Sequence, residues 1–374
     1  MNFLFACGGT AGHINPAIAV AGRLKELMPE SRFLFVGAKG KMEEDLVPRA
    51  GYDIRCVEIT NLQRSLSPQG IKHNLKTAVN VVRSLTESRK IIREFRPDVV
   101  IGTGGYVCFP VLKAAQMMGI PTVLHESNAV PGLTTKMLAG AVDAMMVGFA
   151  ESAAYYKNAE KVKVTGTPVR GDFRSYHKDA AKAELGIKPQ EKLIVSVWGS
   201  LGATRMNEIM ADFIADTHKT SDFCLIHSAG AERYETMMAR LNSLCPAGVS
   251  RQGYEVRPYI YDMSRVMAAA DLVVCRAGAS TLAELSLMGK PCVLVPSPNV
   301  TNNHQEKNAR VLENAGGAIV LVESGLNSET FTKTVTELIS DDDRLNRMAV
   351  AMKQAAPADA TERMTDVVLS LVSK

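Results

Sequence analysis

Short apolar runs bounded by turn residues alternate along the chain with longer segments in which apolar residues recur every three or four positions. The first pattern marks buried strands and the second amphipathic helices. In the first half the runs fall at 2–6, 32–36, 99–101, 122–124, 144–147 and 161–164. After Pro168 the pattern restarts, with runs at 193–197, 223–227, 256–259, 272–275, 292–295 and 318–321. Strands spaced by helices build parallel sheets covered on both faces. Gly and Pro interrupt the pattern at Thr165-Gly166-Thr167-Pro168, which divides two doubly wound α/β domains. A chain of 374 residues fits two such domains of about 150–200 residues each.

Four glycine turns follow predicted strands. The first is Gly8-Gly9-Thr10-Ala11-Gly12-His13, ahead of Pro16-Ala17-Ile18, which reads as the opening of a helix. The others are Gly102-Thr103-Gly104-Gly105-Tyr106, Gly199-Ser200-Leu201-Gly202-Ala203 and Arg276-Ala277-Gly278-Ala279-Ser280-Thr281. In an open parallel sheet, ligands sit beyond the carboxyl ends of the strands. Backbone N–H groups at a helix start there suit an anion. Two turns from each half therefore point to a cleft between domains. A dinucleotide site fits poorly: the spacing is G-G-x-x-G rather than G-x-G-x-x-G, and the run at 32–36 ends in Gly37 without an acid for a ribose.

In the second half Glu284 lies four residues after Ser280, near the start of a helix, where a carboxylate can accept both hydroxyls of a ribose. An acid that only favours the helix dipole is the plainer alternative. Ser200, beside a helix start, suits a diphosphate. The polar stretch Asn302-Asn303-His304-Gln305 offers donors and acceptors for sugar hydroxyls.

Composition narrows the class. An apolar fraction of 46%, a charged fraction of 22% and a net charge of +4 describe a globular chain with no call for nucleic acid. Seven scattered cysteines without a C-x-x-C pair suit buried thiols in a reducing compartment. No cluster has metal-ligand spacing, and the acidic run Asp341-Asp342-Asp343 reads as a solvated face. No apolar run reaches membrane-span length and no basic stretch precedes the first strand, so the cytoplasm is expected. Residues 70–95 form a basic amphipathic helix, with Lys72, Lys76, Arg83, Arg89, Lys90, Arg93 and Arg96 beside its apolar face. Such a face packs on its own sheet, and its excess of cations also suits an anionic membrane surface.

Six motifs in order carry a resemblance. They are Gly8-Gly9-Thr10-Ala11-Gly12-His13-x-x-Pro16-Ala17, Gly104-Gly105-Tyr106-x-x-x-Pro110, His125-Glu126-x-Asn128 with Gly132, Gly166-x-Pro168-Val169-Arg170, Gly199-Ser200-x-Gly202-Ala203 and Arg276-x-Gly278-Ala279-x-Thr281-x-x-Glu284. Together they resemble the MurG family, the N-acetylglucosaminyltransferases of glycosyltransferase family 28, over nearly the whole chain. The resemblance implies a GT-B fold, α/β, with two Rossmann-like doubly wound parallel-sheet domains facing an interdomain cleft. Residues 1–167 would bind the acceptor and associate with the membrane, and 168–345 would bind UDP-GlcNAc. A C-terminal helix, about 346–374, would pack back on the first domain. The implied reaction moves GlcNAc from UDP-GlcNAc to the C4 hydroxyl of undecaprenyl-diphospho-MurNAc-pentapeptide (lipid I), with inversion. It completes lipid II for peptidoglycan, and so serves cell-wall building, cell shape and division. No metal and no cofactor are implied. The partners would be UDP-GlcNAc, lipid I and the cytoplasmic face of the membrane, where the protein would sit peripherally, with no nucleic acid.

The resemblance also implies site residues. UDP-GlcNAc would touch Thr10, Ala11, Gly12, Asn128, Arg170, Ser200, Ile260, Ala279, Ser280, Thr281, Leu282, Ala283, Glu284 and Gln305, with Ile260 serving the uracil and Glu284 the ribose. Gly104, Gly105 and Tyr106 would lie on the acceptor side. Inverting transfer needs a base for the acceptor hydroxyl. His13 is the expected base and Glu126 the second candidate. Ala11, Cys108, Thr167 and Trp198 stand where the family usually has Gly, Ser, Asn and Gly. Trp198 is the largest departure and puts a bulky side chain beside the diphosphate turn. Two other readings remain: a related enzyme glycosylating another lipid such as diacylglycerol, and a nucleotide-sugar-binding protein without chemistry.

Overall fold

The computed structural model describes residues 1–59, 68–199, 202–249 and 253–372, with the backbone alone at 68–79 and 301. The chain divides into two compact units. The first comprises Met1–Arg170 and Pro357–Lys374, and the second Gly171–Ala356.

The first unit begins with β1 (Asn2–Cys7), α1 (Ala11–Leu27), β2 (Arg32–Ala38), α2 (Glu43–Arg49) and β3 (Asp53–Val57). It continues through α3 (Pro68–Phe95), β4 (Val99–Gly104), α4 (Cys108–Met117), β5 (Thr122–Glu126), α5 (Leu133–Leu138), β6 (Ala144–Val147) and β7 (Val162–Val164). The seven strands are ordered β3-β2-β1-β4-β5-β6-β7, and every pairing is parallel. Both faces are apolar because alternate residues of one strand serve different cores. Leu4 and Ala6 join one cluster with Val111 and Leu112, whereas Phe3 and Phe5 join the other with Val20 and Leu24. Phe5 stacks on Phe35 of β2 at 5.0 Å between ring centroids. Full burial of one such ring contributes about 2–3 kcal/mol.

The second unit holds α6 (Lys178–Glu184), β8 (Leu193–Val197), α7 (Thr204–Thr217), β9 (Cys224–Ser228), α8 (Tyr234–Leu244) and β10 (Tyr254–Arg257). Then follow α9 (Met263–Ala269), β11 (Leu272–Cys275), α10 (Ala279–Met288), β12 (Cys292–Leu294), α11 (His304–Asn314), β13 (Ala318–Val320), α12 (Ser328–Ser340) and α13 (Asp342–Ala355). Its six parallel strands are ordered β10-β9-β8-β11-β12-β13.

The strand orders explain the glycine turns. Each sheet reverses its winding once, between β1 and β4 in the first and between β8 and β11 in the second. The four turns follow these four strands. Each unit thus has two glycine turns side by side at its topological switch point, where ligands of doubly wound sheets bind.

Several sequence expectations are corrected. The return to the first unit begins at Pro357 rather than about 346. Helix α13 stays with the second unit because Leu345 and Met348 are buried in its core. Only α14 (Ala360–Val372) crosses, burying Met364 and Val368 in the first unit's core. The division between the units falls after Arg170, three residues later than the expected 167. Strand β3 was not expected: it is an edge strand whose Asp53 and Arg55 face solvent and whose Ile54 and Cys56 are half-buried, so it carries no apolar run. Strand β10 begins at Tyr254, two residues before the expected 256. Asp341 does more than face solvent: its side chain caps α13, accepting from the N–H of Arg344 at 2.9 Å. Asp342 pairs with Lys192 at 2.7 Å. Among the described residues, no helix is long and apolar enough to cross a membrane.

Candidate active site

The first unit's switch point is built from two turns in contact. Helix α1 opens at Ala11, not at Pro16, so His13 stands on its first turn rather than in a loop ahead of it. The N–H of His13 donates to Thr10 O at 3.0 Å, and the His13 carbonyl accepts the hydroxyl of Thr103 at 2.7 Å, which ties the helix start to β4. The imidazole packs on Gly104, where a Cβ would come within 2.3 Å of the ring. Gly105, at φ +91, lies so close to Gly8 that a Cβ there would meet the Gly8 carbonyl oxygen at 2.3 Å. A side chain at either position would push the turns apart.

The ring of His13 is held in one tautomer. Its Nδ1 lies 2.9 Å from Gly8 O and 3.4 Å from Thr10 Oγ1. A carbonyl only accepts, so Nδ1 carries a proton, and in the neutral ring Nε2 is then the nitrogen with the lone pair. Tyr106, 49% exposed, stands beside this turn ahead of α4.

Glu126 has a different position. It is 5% exposed, at the end of β5. One carboxylate oxygen accepts from Asn128 N at 3.1 Å and Asn128 Nδ2 at 2.9 Å. The other accepts from Gly132 N at 2.9 Å and Thr135 Oγ1 at 2.7 Å. Four donors fill the four lone-pair sites of a carboxylate. This second candidate base is thus engaged as the staple of the 126–135 loop, an arrangement that its sequence spacing did not reveal. Cys108 is likewise structural. It is fully buried, its Sγ lies 3.2 Å from Ala6 O and 3.1 Å from Gly104 O, and burial pushes its thiol up to about 12.

The second unit's switch point opens into a cavity of about 620 Å³. Gly202, Arg276, Gly278, Thr281, Glu284 and Gln305 are among its lining residues. Glu284 is the sixth residue of α10, beyond the first turn, which contains no acid. It is therefore not a first-turn acid of the helix, and it lines the cavity. Gln305 Oε1 accepts from Ser297 N at 2.9 Å. Asn302 and Asn303 both adopt left-handed backbone, at φ 59 and 52, a conformation asparagine tolerates better than most residues. Leu282 is 1% exposed and packs inward, so its side chain belongs to the core.

Trp198 lines the cavity together with Gly199 and Gly202 of the third turn. It is 3% exposed and packed into the second unit's core while still forming part of the cavity wall. The Arg276 guanidinium lies over its ring, 5.7 Å from the centroid. Arg276 also donates to Val295 O at 3.0 Å and pairs with Glu323 at 2.5 Å. Sequence reasoning assigned Arg276 no role and did not find Glu323. These two residues lie 47 positions apart, and no local spacing joins them.

The expected donor residues divide between the units. Ile260, Ala279 to Glu284 and Gln305 belong to the second; Thr10, Ala11, Gly12, Asn128 and Arg170 belong to the first. Ser200 lies outside the described residues. Gly104 packs on His13 and Gly105 on Gly8, and they lie with Tyr106 in the first unit.

Two fully buried histidines make stability depend on pH. Burial lowers His125 to about 4 and His227 to about 3. In the unfolded chain each titrates near its ordinary value of about 6.5. Between these values the unfolded state binds the extra proton, so stability is complete above about pH 6.5 and falls as pH drops toward 4. The expected loss is on the order of 3 kcal/mol per histidine. Trp198, the one tryptophan of the chain, reports the second unit. Its fluorescence midpoint in urea should fall between pH 7 and 4.5, and His227→Gln should flatten that fall. An equal slope in both proteins would remove His227 as the cause.

Comparison with known proteins places this geometry. Residues 3–147 match the glycosyltransferase family 28 N-terminal domain, and residues 193–364 match the glycosyltransferase family 28 C-terminal domain. A relative from Acetivibrio thermocellus is 39% identical over 372 residues, covering 100% of this chain and 98% of its own. It is named UDP-N-acetylglucosamine--N-acetylmuramyl-(pentapeptide) pyrophosphoryl-undecaprenol N-acetylglucosamine transferase. The protein of the same name from Thermoanaerobacter sp. is 41% identical, over 99% of this chain and 100% of its own. The crystal structure of Acinetobacter baumannii MurG is similar at a TM-score of 0.77 and 25% identity, over 99% of both chains. A UDP-GlcNAc 2-epimerase from Neisseria meningitidis bound to UDP-GlcNAc shares the fold, with a TM-score of 0.66 at 15% identity over 99% of this chain and 100% of its own. With both domain models matched in order and full-length relatives near 40% identity, the chain is a GT-B enzyme that belongs to glycosyltransferase family 28.

Proposed function

We propose that this glycosyltransferase moves GlcNAc from UDP-GlcNAc to the C4 hydroxyl of the MurNAc-pentapeptide of lipid I, giving lipid II, with inversion at the anomeric carbon. The observation that carries the chemistry is the His13 imidazole, fixed with Nδ1 on the Gly8 carbonyl and with no hydrogen-bond partner on Nε2 among the described residues. The full-length relatives named for this reaction supply the substrates.

In this reading the acceptor oxygen attacks the anomeric carbon on the face opposite UDP. The new C–O bond forms as the bond to the diphosphate oxygen breaks, and UDP leaves with that electron pair. The acceptor proton passes to Nε2 of His13. Glu126 positions the loop that carries Asn128 and takes no proton. Glu284 accepts the ribose hydroxyls, and Ile260 presents backbone to the uracil. The amino end of α10, with Ala279, Ser280 and Thr281, and Arg170 and Ser200 meet the diphosphate charge. Thr10, Ala11, Gly12, Asn128 and Gln305 serve the transferred sugar.

Contact with the cytoplasmic face of the membrane rests on α3. Val82 is 67% exposed on it and Met117 of α4 56% exposed, with the Arg89 guanidinium 3.1 Å from the Met117 sulfur. Lys90 and Arg93 are exposed on the same helix. Exposed apolar side chains among cations suit an anionic lipid surface. Lys72 and Lys76 lie where side chains are not described.

Transfer assays with radiolabelled UDP-GlcNAc test the acceptor. A soluble lipid I analogue is expected to become labelled and diacylglycerol to stay unlabelled. Labelling of diacylglycerol alone would shift the reading to the other lipid, and donor binding without any product would make the protein a nucleotide-sugar binder.

A further inference from the structure

Beneath the opening glycine turn lies a carboxylate that sequence reasoning passed over. Glu43, the first residue of α2, is fully buried. One oxygen accepts from the N–H of Ala38 at the end of β2, at 2.9 Å. The other accepts from the N–H of Gly9 at 3.0 Å. The bare glycine at Gly8 lets the carboxylate approach, since a Cβ there would come within 2.3 Å of Glu43 Oε1.

The N–H of Gly9 and the C=O of Gly8 belong to one peptide unit, planar and with its two dipolar ends pointing in opposite directions. Glu43 holds the N–H end of that unit. His13 Nδ1 holds the C=O end. A carboxylate on the N–H draws electron density toward the carbonyl oxygen and strengthens the hydrogen bond accepted there. We propose that Glu43 is a positioning residue for His13, acting through the Gly8–Gly9 peptide as a carboxylate acts directly on an imidazole in a carboxylate–histidine pair. It fixes the plane of that peptide, and so the tautomer and aim of the ring, and it stabilises the positive charge that the ring gains with the acceptor proton.

Other titratable groups around the pair do not substitute for it. The thiols of Cys7 on β1, Cys56 on β3 and Cys108 on α4 are all raised by burial, the last two to about 12. His125 on β5 is lowered to about 4 by burial. Glu126 spends its oxygens on its own loop, and Glu44 acts on Cys56.

The inference rests on His13 being the base, and two readouts separate the two claims. The first is the ring nitrogens of His13, followed by 15N NMR above its titration. The native ring should be in the Nδ1–H form, and the Gly9 amide proton should shift as His13 takes its proton. In Glu43→Gln, whose side chain can offer an acceptor to only one of the two N–H groups, the Nδ1–H share should fall. The second readout is kinetic. Glu43→Gln should lower kcat by about 10- to 100-fold, the scale on which loss of an orienting partner of a functional histidine acts, with the donor KM unchanged and the acid limb of the rate profile moved to lower pH. A native ring in the Nε2–H form, or a Gly9 amide indifferent to His13 protonation, overturns the link even if the variant does not fold. An unchanged tautomer and rate profile in a folded Glu43→Gln protein overturn it as well. Full turnover in His13→Gln would instead remove the base assignment, and the NMR readouts would still judge the Glu43 link by itself.

Discussion

His13→Gln is expected to lower turnover by about 10²- to 10⁴-fold, the usual worth of a positioned general base, and to leave UDP-GlcNAc affinity nearly intact. The separation follows from the roles assigned: His13 takes the acceptor proton, whereas the uracil and ribose are assigned to Ile260 and Glu284 of the second unit. The substitution keeps a polar side chain that can still bond Gly8 O, so the turn is retained and the basic nitrogen lost. Steady-state kinetics with saturating donor and acceptor check it. Weakened UDP binding with unchanged saturated turnover would show that His13 serves binding instead.

Glu284→Ala is expected to act in the opposite way. A hydrogen bond to a charged group contributes about 1.5–3 kcal/mol, so losing the ribose hydroxyls' acceptor should weaken UDP-GlcNAc and UDP alike by at least about 10-fold. The acceptor KM should hold. Calorimetric titration with UDP is the direct check, because UDP carries the ribose and lacks the sugar. Equal UDP affinity in the variant and the parent protein would take the ribose role away from Glu284. The residue stands on the second turn of a helix that opens at the switch point, in the wall of the cavity.

The parts of this site that could be read from sequence share a physical cause. A glycine forced by close approach leaves a mark at its own position, as at Gly104 and Gly105, where any side chain would strike His13 or Gly8. Strand ends and helix starts are local, so the four turns could be placed before the sheets were known. Their pairing at the switch points needed the strand order. What escaped depends on contacts between distant residues. Glu43 reaches Gly9 across 34 positions. In sequence it reads as an ordinary acid at the start of a short helix. Glu126 was legible as a motif residue, but its four donors were not, since two of them come from Gly132 and Thr135 through a loop. Trp198 could be placed beside the third turn, but the burial of its ring in the second core under the Arg276 guanidinium could not. The edge strand β3 and the late crossing at Pro357 were missed because edge strands need no continuous apolar run and because α13 and α14 have the same helical period.

The central claim is that this chain makes a glycosidic bond between GlcNAc and lipid I using UDP-GlcNAc alone as donor. Incubation of the purified protein with UDP-GlcNAc and a short-chain lipid I analogue, with the product isolated and its linkage read by NMR, tests it most directly. A β-linked GlcNAc on C4 of MurNAc, formed with one UDP released per bond, is the expected result. An α-linked product, release of free GlcNAc without a disaccharide, or no product from a protein that binds the donor would contradict it.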